Sequence, residues 1–153
     1  MEICVYKIQF NKSSYDLNFD YERLSEYEKE SISELETDRG FFDFNDVNDK
    51  FILYLVGPAT EIKKYLDILT TNLIDYKISD ISKDVLMNII DLESELLGQV
   101  DSTNRKKFKL FISDINDWIS KNLDMDTVLD RISDVGIKSL RGVEKEFLKS
   151  YKL

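Results

Sequence analysis

Histidine is absent from these 153 residues, and cysteine and proline each occur once. Missing histidine removes the commonest general base and the commonest metal ligand. With Cys4 alone, neither a zinc site nor a Cys/His nucleophile pair can be assembled within one chain, and no disulfide can close. Five glycines and one proline leave little for linkers or low-complexity segments. No glycine-rich phosphate loop is present, because VGPATEIKK has one glycine and no Walker spacing. No run approaches 18 apolar residues, so no membrane span is expected. The opening MEICVYKIQF has Glu2 where a secretory signal would place a basic residue, and no small-residue cleavage site follows. These features predict a cytoplasmic protein in a reducing compartment.

What is present is apolar and unevenly acidic. Hydrophobic residues make up 42% of the chain, enough for a real core. The net charge of −9 lies entirely in residues 16–49, which hold 12 acids against three bases, while the remainder sums to zero. Such a field repels phosphate backbones, so no nucleic-acid partner is expected. The acidic segment reads either as a solvated helix face or as a docking surface for a basic partner. DFNDVNDK, from Asp43, is rich in oxygen ligands but fails the EF-hand pattern, with Val47, Asn48 and Tyr54 where ligand, glycine and glutamate are required. It reads as a turn.

Residues 3–10 are β-branched and aromatic and predict a strand; 11–14 predict a loop. Residues 21–36 carry apolar groups at helical spacing, with Asp20 as the expected N-cap. Phe41–Phe44 and the continuous run 51–56 predict two strands of a hairpin around a polar turn. Gly57-Pro58 ends that strand before a helix that carries Ile62, Leu66, Leu69 and Leu73 at helical spacing. Residues 76–81 alternate as a short strand. The order βαββαβ is that of a ferredoxin-like split-βαβ sheet. The expected organisation is therefore α+β: a ferredoxin-like domain over 1–82, then a helical extension of about four helices over 83–153, packed on the sheet.

In that extension, 83–98 read as one helix, and 104–123 as a second with Ser102 or Thr103 as cap. The second places Phe108, Phe111, Ile112, Ile115, Trp118 and Ile119 on one face. Arg105, Lys106, Lys107 and Lys109 crowd its first turns, where they oppose the helix dipole. They read as a solvated face or as a contact to the acidic helix, in this chain or a second copy. Residues 124–152 predict a helical hairpin, capped by Asp124 or Asp126, with Val128, Leu129 and Ile132 inward. Gly136 marks a left-handed break, and Ser139 starts the last helix, which has Val143, Phe147 and Leu148 on its apolar face. Two helices this short must pack on something.

Residues 126–152 resemble a short helical-hairpin element found at the C-termini of diverse Bacteroidota proteins, some rhomboid-family proteins among them. Leu129, Asp130, Ile132, Ser133, Gly136, Ser139, Leu140, Glu144, Glu146, Phe147 and Leu148 match its pattern. Arg141, where the element usually has a capping Thr, and Gly142 depart from it. The resemblance implies a bacterial source and an interaction role.

No catalytic residue, metal or cofactor is assigned. The expected function is a non-enzymatic interaction or adaptor module whose partner is another protein or a second copy of the chain. Its candidate surface is Glu22, Glu26, Glu30 and Glu34 on the acidic helix, Arg105, Lys106 and Lys109 on the basic one, and Phe147. Two readings stand beside it. One is a small-molecule-binding regulatory module, by analogy with other ferredoxin-like sheets. The other is an enzyme working with carboxylates or tyrosines alone, which would need a shielded carboxyl.

Overall fold

The computed structural model of the chain describes residues 2–11, 20–45 and 50–150. Strand β1 (Ile3–Phe10) precedes helix α1 (Glu26–Arg39), strands β2 (Gly40–Asn45) and β3 (Lys50–Pro58), helix α2 (Ala59–Thr71) and strand β4 (Tyr76–Asp80). Then come α3 (Ser82–Leu86), α4 (Leu92–Leu96), α5 (Arg105–Asn122), α6 (Met125–Val135) and α7 (Gly142–Ser150). Single 3₁₀ turns lie at Leu97–Gln99 and Ile137–Ser139. Among the described residues no helix is long and apolar enough to cross a membrane. The predicted loop at 12–14 and the hairpin turn at 46–49 lie outside the described residues.

The fold is α+β. Its four strands form one antiparallel sheet in the order β2-β3-β1-β4. β1 and β3 hold the centre, and each contributes apolar side chains to both faces, although Lys7 and Gln9 of β1 are half-buried polar residues on the Val5 side. Side chains alternate along a strand, so each strand feeds two cores. Ile8, Phe10, Phe51, Leu53 and Leu55 face one side and pack with Ile32 and Leu35 of α1 and Ile62, Tyr65 and Leu69 of α2. Val5, Phe41, Tyr54 and Val56 face the other side and pack with the helical region. There α5 buries Phe108, Phe111, Ile112, Ile115, Trp118 and Ile119, the six residues its periodicity put on one face. The Trp118 indole N–H donates to the Ile3 carbonyl at 2.8 Å, tying α5 to the first residue of β1. Both sheet faces are thus covered within one chain.

Several boundaries differ from the sequence reading. Helix α1 starts at Glu26, five residues after the expected Tyr21. Its N-cap is Ser25, in a full capping box with Glu28, not Asp20. Asp20 is buried instead and pairs with Arg23. The single helix expected over 83–98 is two. Asn88 takes a φ of 58°, and the Ile89 and Ile90 amides both turn back to the Asp84 carbonyl, which ends α3. Asp91 then caps α4 through the Ser94 amide. Asn104 is the N-cap residue of α5, without a side-chain cap, while the Asp101 carboxylate accepts from the Thr103 and Asn104 amides.

The closing hairpin belongs to the core of the helical layer. Asp124 caps α6, as one of the two expected candidates, by accepting from the Thr127 amide at 2.7 Å. Val128 is fully buried, but Leu129, expected inward, is half exposed, and Arg131 is buried in its place. Gly136 has the expected positive φ (80°), yet its ψ of 160° sends the chain out extended rather than into a left-handed turn. That region is essentially closed to residues with a Cβ. The last helix begins at Gly142, not Ser139, which lies in a 3₁₀ turn. Arg141, the residue that departs from the resembled pattern, explains the late start. Glu144, three residues on, accepts from the Arg141 amide at 2.9 Å, so the carboxylate supplies the helix start. The same carboxylate accepts from Arg141 Nε at 3.1 Å and Arg131 Nε at 3.2 Å while wholly buried. Arg141 also donates to the Val85 carbonyl at 2.7 Å and to the Leu86 carbonyl, at the C-terminal end of α3.

One glutamate therefore joins both arms of the hairpin, and one arginine fastens the hairpin to the sheet-covering layer. Burial alone would push the Glu144 carboxyl up, but hydrogen bonds from Arg141 and the two guanidinium charges hold it below the ordinary carboxylate value. Glu144→Gln leaves two guanidiniums short of their counter-charge and should cost about 3–5 kcal/mol in urea unfolding at neutral pH. A lowered carboxyl stabilises the fold above its unfolded pKa, so the gap should close as pH falls through the acid range. A loss under about 1 kcal/mol, as for an exposed pair, would contradict this role.

Candidate functional site

The expected surface residues do not form one site. Glu26, Glu30 and Glu34 are exposed along α1 at a spacing of four residues. Glu22 lies outside the helix and shares Lys29 with Glu26, each at 3.6 Å from Nζ. Exposed pairs this long contribute little. Arg105, Lys106 and Lys109 are exposed on α5, on the opposite sheet face from α1, and among the described residues no ion pair joins them to the four glutamates. Contact between the two helices is made only past the β2 edge. There Lys106 and Lys107 line a surface depression with Thr37 and Asp38, and the Lys107 charge reaches Glu36. Phe147 packs against the helical core and is half-buried, not a free surface anchor.

A different group of residues converges on the other side of the sheet. α1 and α2 lie side by side over β3, joined near their ends by the Asn72 side-chain amide donating to Glu28 Oε2 at 2.8 Å. Between them Tyr65 is fully buried, and its hydroxyl donates to Glu36 Oε1 at 2.8 Å. Glu36 comes one helical turn after Ile32, so it shares the inward stripe of α1 rather than the solvated side. Burial pushes its carboxyl up to about 7, against the pull of the Tyr65 hydrogen bond and the Lys107 charge. Tyr65 is raised well above its ordinary value, first by burial and then by the Glu36 charge.

These two groups line a cavity of about 380 Å³. Leu24, Ile32, Leu69 and Ile74 supply its aliphatic wall, and Phe42 and Phe44 of β2 the aromatic one. Alternation along β2 puts those two rings on one face, stacked 5.4 Å apart and within 6.0 Å of Phe51. Phe44 is 48% exposed, so the aromatic wall continues to the surface. At the rim the Tyr21 and Ser33 hydroxyls bond each other at 2.9 Å. An apolar pocket of a few hundred cubic ångströms with a few convergent polar groups is the usual form of a small-molecule site. Larger depressions exist, of about 580 and 630 Å³, but they are lined by exposed charges of both signs.

A second cluster of titratable groups lies on the opposite sheet face. The Tyr54 hydroxyl donates to Glu95 at 3.3 Å, and burial, followed by the Glu95 charge, raises Asp43. Among the described residues no group of acids and cysteine is arranged to hold a metal ion. The chain matches no family model, no curated protein and no solved structure. The site is therefore read from its own geometry.

A carboxyl raised from 4.5 to about 7 opposes folding wherever it must ionise. The unfolded chain loses that proton first, so the penalty builds between these two values and is complete above the higher one. Glu36→Gln keeps the acceptor for Tyr65 and removes the charge. It should raise stability by about 2–3 kcal/mol at pH 8 and by nothing below pH 4.5, read from thermal melts across that range. A gap that does not vary with pH would show that Glu36 is not a shielded carboxyl.

Proposed function

We propose that this chain is a small-molecule-binding regulatory module of ferredoxin-like type, with its ligand site in the cavity between α1, α2 and β2. The carrying observation is that cavity: an aromatic and aliphatic pocket with one shielded carboxyl, Glu36, held by Tyr65. Support for the ferredoxin-like comparison comes from the βαββαβ element order, the antiparallel strand order and the packing of α1 and α2 in one core on one face.

The adaptor reading drew its strength from a hairpin that has to dock. That hairpin packs Val128, Ile132, Val143, Phe147 and Leu148 into the helical core of its own chain and fastens Arg141 to α3, while Leu129, Val135 and Ile137 stay exposed. The exposed glutamates of α1 remain as the surface for a protein partner, but nothing else converges on them. A shielded carboxyl also favours the enzymatic reading. Acid-base chemistry, however, calls for a second titrating group beside the first. Among the described residues the one hydroxyl bonded to Glu36 is that of Tyr65, itself raised and engaged.

A thermal-shift screen of the full chain against small aromatic and aliphatic compounds tests the proposal. A compound at one hundred times its Kd stabilises by about 2.7 kcal/mol, a shift of several degrees. Ser33 is exposed at the rim. Ser33→Phe should fill the mouth and abolish the shift without unfolding the protein. No hit, or hits unaffected by Ser33→Phe, would overturn the proposal.

A further inference from the structure

The chemistry of the cavity wall goes further than its size. The Tyr65 hydroxyl is engaged by Glu36, and the Tyr21–Ser33 pair at the rim uses one of its two hydroxyl protons internally and keeps the other. Beside Tyr65, the ionised Glu36 offers an acceptor. Glu36 Oε1 takes the Tyr65 proton, while Oε2 has no hydrogen-bond partner among the described residues and is not sealed from solvent. No ion pair within 4 Å reaches Glu36 among the described residues. A vacant oxygen on an ionised carboxylate selects a ligand that donates.

The surroundings select its charge. Phe42 and Phe44 line the cavity with rings, whose faces attract cations, whereas the Tyr21 ring already carries Lys29 Nζ at 5.7 Å from its centre. The segment that builds α1 and β2, residues 16–49, carries the whole −9 of the molecule. That field concentrates cations near the mouth and repels anions. A carboxylate in a poorly hydrated pocket gains more from a charged donor than from a neutral one.

On the reading of this cavity as the ligand site, we infer that its ligand is a compact organic cation: an aromatic or aliphatic body carrying one basic nitrogen. The nitrogen donates to Glu36 Oε2, and the body lies against Phe42, Phe44 and Leu69. Binding such a ligand keeps Glu36 ionised and so releases its proton. The groups that face Glu36 are Tyr65 from α2, Ser33 from α1 and, through its charge, Lys107 from α5. Burial and the Glu36 charge move Tyr65 further above its ordinary value and away from neutral pH, so the pH dependence there is read from Glu36.

Three probes of one size separate the alternatives: phenethylamine, 2-phenylethanol and phenylacetate, titrated calorimetrically into the full chain at pH 8 and pH 6. The amine should bind best. Its affinity should fall about tenfold from pH 8 to pH 6 as Glu36 takes up its proton. Glu36→Gln, which is expected to fold more stably than the parent, should remove both the pH dependence and the preference for amine over alcohol. If the alcohol or the carboxylate binds as tightly as the amine, or Glu36→Gln keeps the preference, the cation inference fails and the cavity reading survives. If none of the three binds while compounds from the wider screen do, the inference again fails alone. If neither the series nor the screen yields binding that Ser33→Phe removes, the cavity reading itself fails.

Discussion

A four-stranded sheet has two faces, and this one is apolar on both. The central strands β1 and β3 alternate between two cores, so neither face can be left to water. Every larger feature follows from that. α1 and α2 close one side, and the 70-odd residues after β4 close the other. The two sides are built differently. The C-terminal layer is dense with aromatic and aliphatic packing and carries an ion cluster in which Glu144 accepts from Arg131, Arg141 and the Arg141 amide. The α1–α2 layer carries a single shielded carboxyl whose second oxygen has no partner among the described residues.

The same contrast explains why these two glutamates behave oppositely. Both lie on inward stripes of helices, and burial pushes both carboxyls up. Glu144 has two guanidiniums and a backbone amide, which outweigh burial and leave it lowered. Glu36 has a phenol and a more distant lysine, which do not, and it stays raised. Burial decides the sign only where no counter-charge is in contact. A residue that weakens the fold at neutral pH while opening onto a cavity fits the common trade of stability for function.

Much of the architecture was legible in the periodicity of the sequence. β-branched and aromatic content marked β1, apolar runs marked β2 and β3, alternation marked β4, and Phe108 to Ile119 marked the buried face of α5 in full. Boundaries were less legible, for identifiable reasons. Tyr21 and Leu24 extend the apolar stripe of α1 backwards, and this masks the Ser25–Glu28 capping box that really begins the helix. Asn88 ends α3 without glycine or proline, because asparagine tolerates positive φ. The site was hidden by residue type. Among the glutamates of α1, Glu36 reads as one more solvated acid. Its position one turn after Ile32 was the available signal, but only the packing of α2 shows that Tyr65 meets it there. Arg131 and Glu144 were likewise invisible as a buried pair, since each stands in a helix whose charged residues otherwise face water.

The account turns on Glu36 being a shielded, proton-holding carboxyl. The direct measurement is its titration by ¹³C NMR of the side-chain carboxyl, assigned by loss of the resonance in Glu36→Gln. A midpoint near 7 is the result expected from its burial beside Tyr65. A midpoint near the ordinary 4.5 would mean that water reaches the group freely, and the cavity would then have no chemistry to select a ligand.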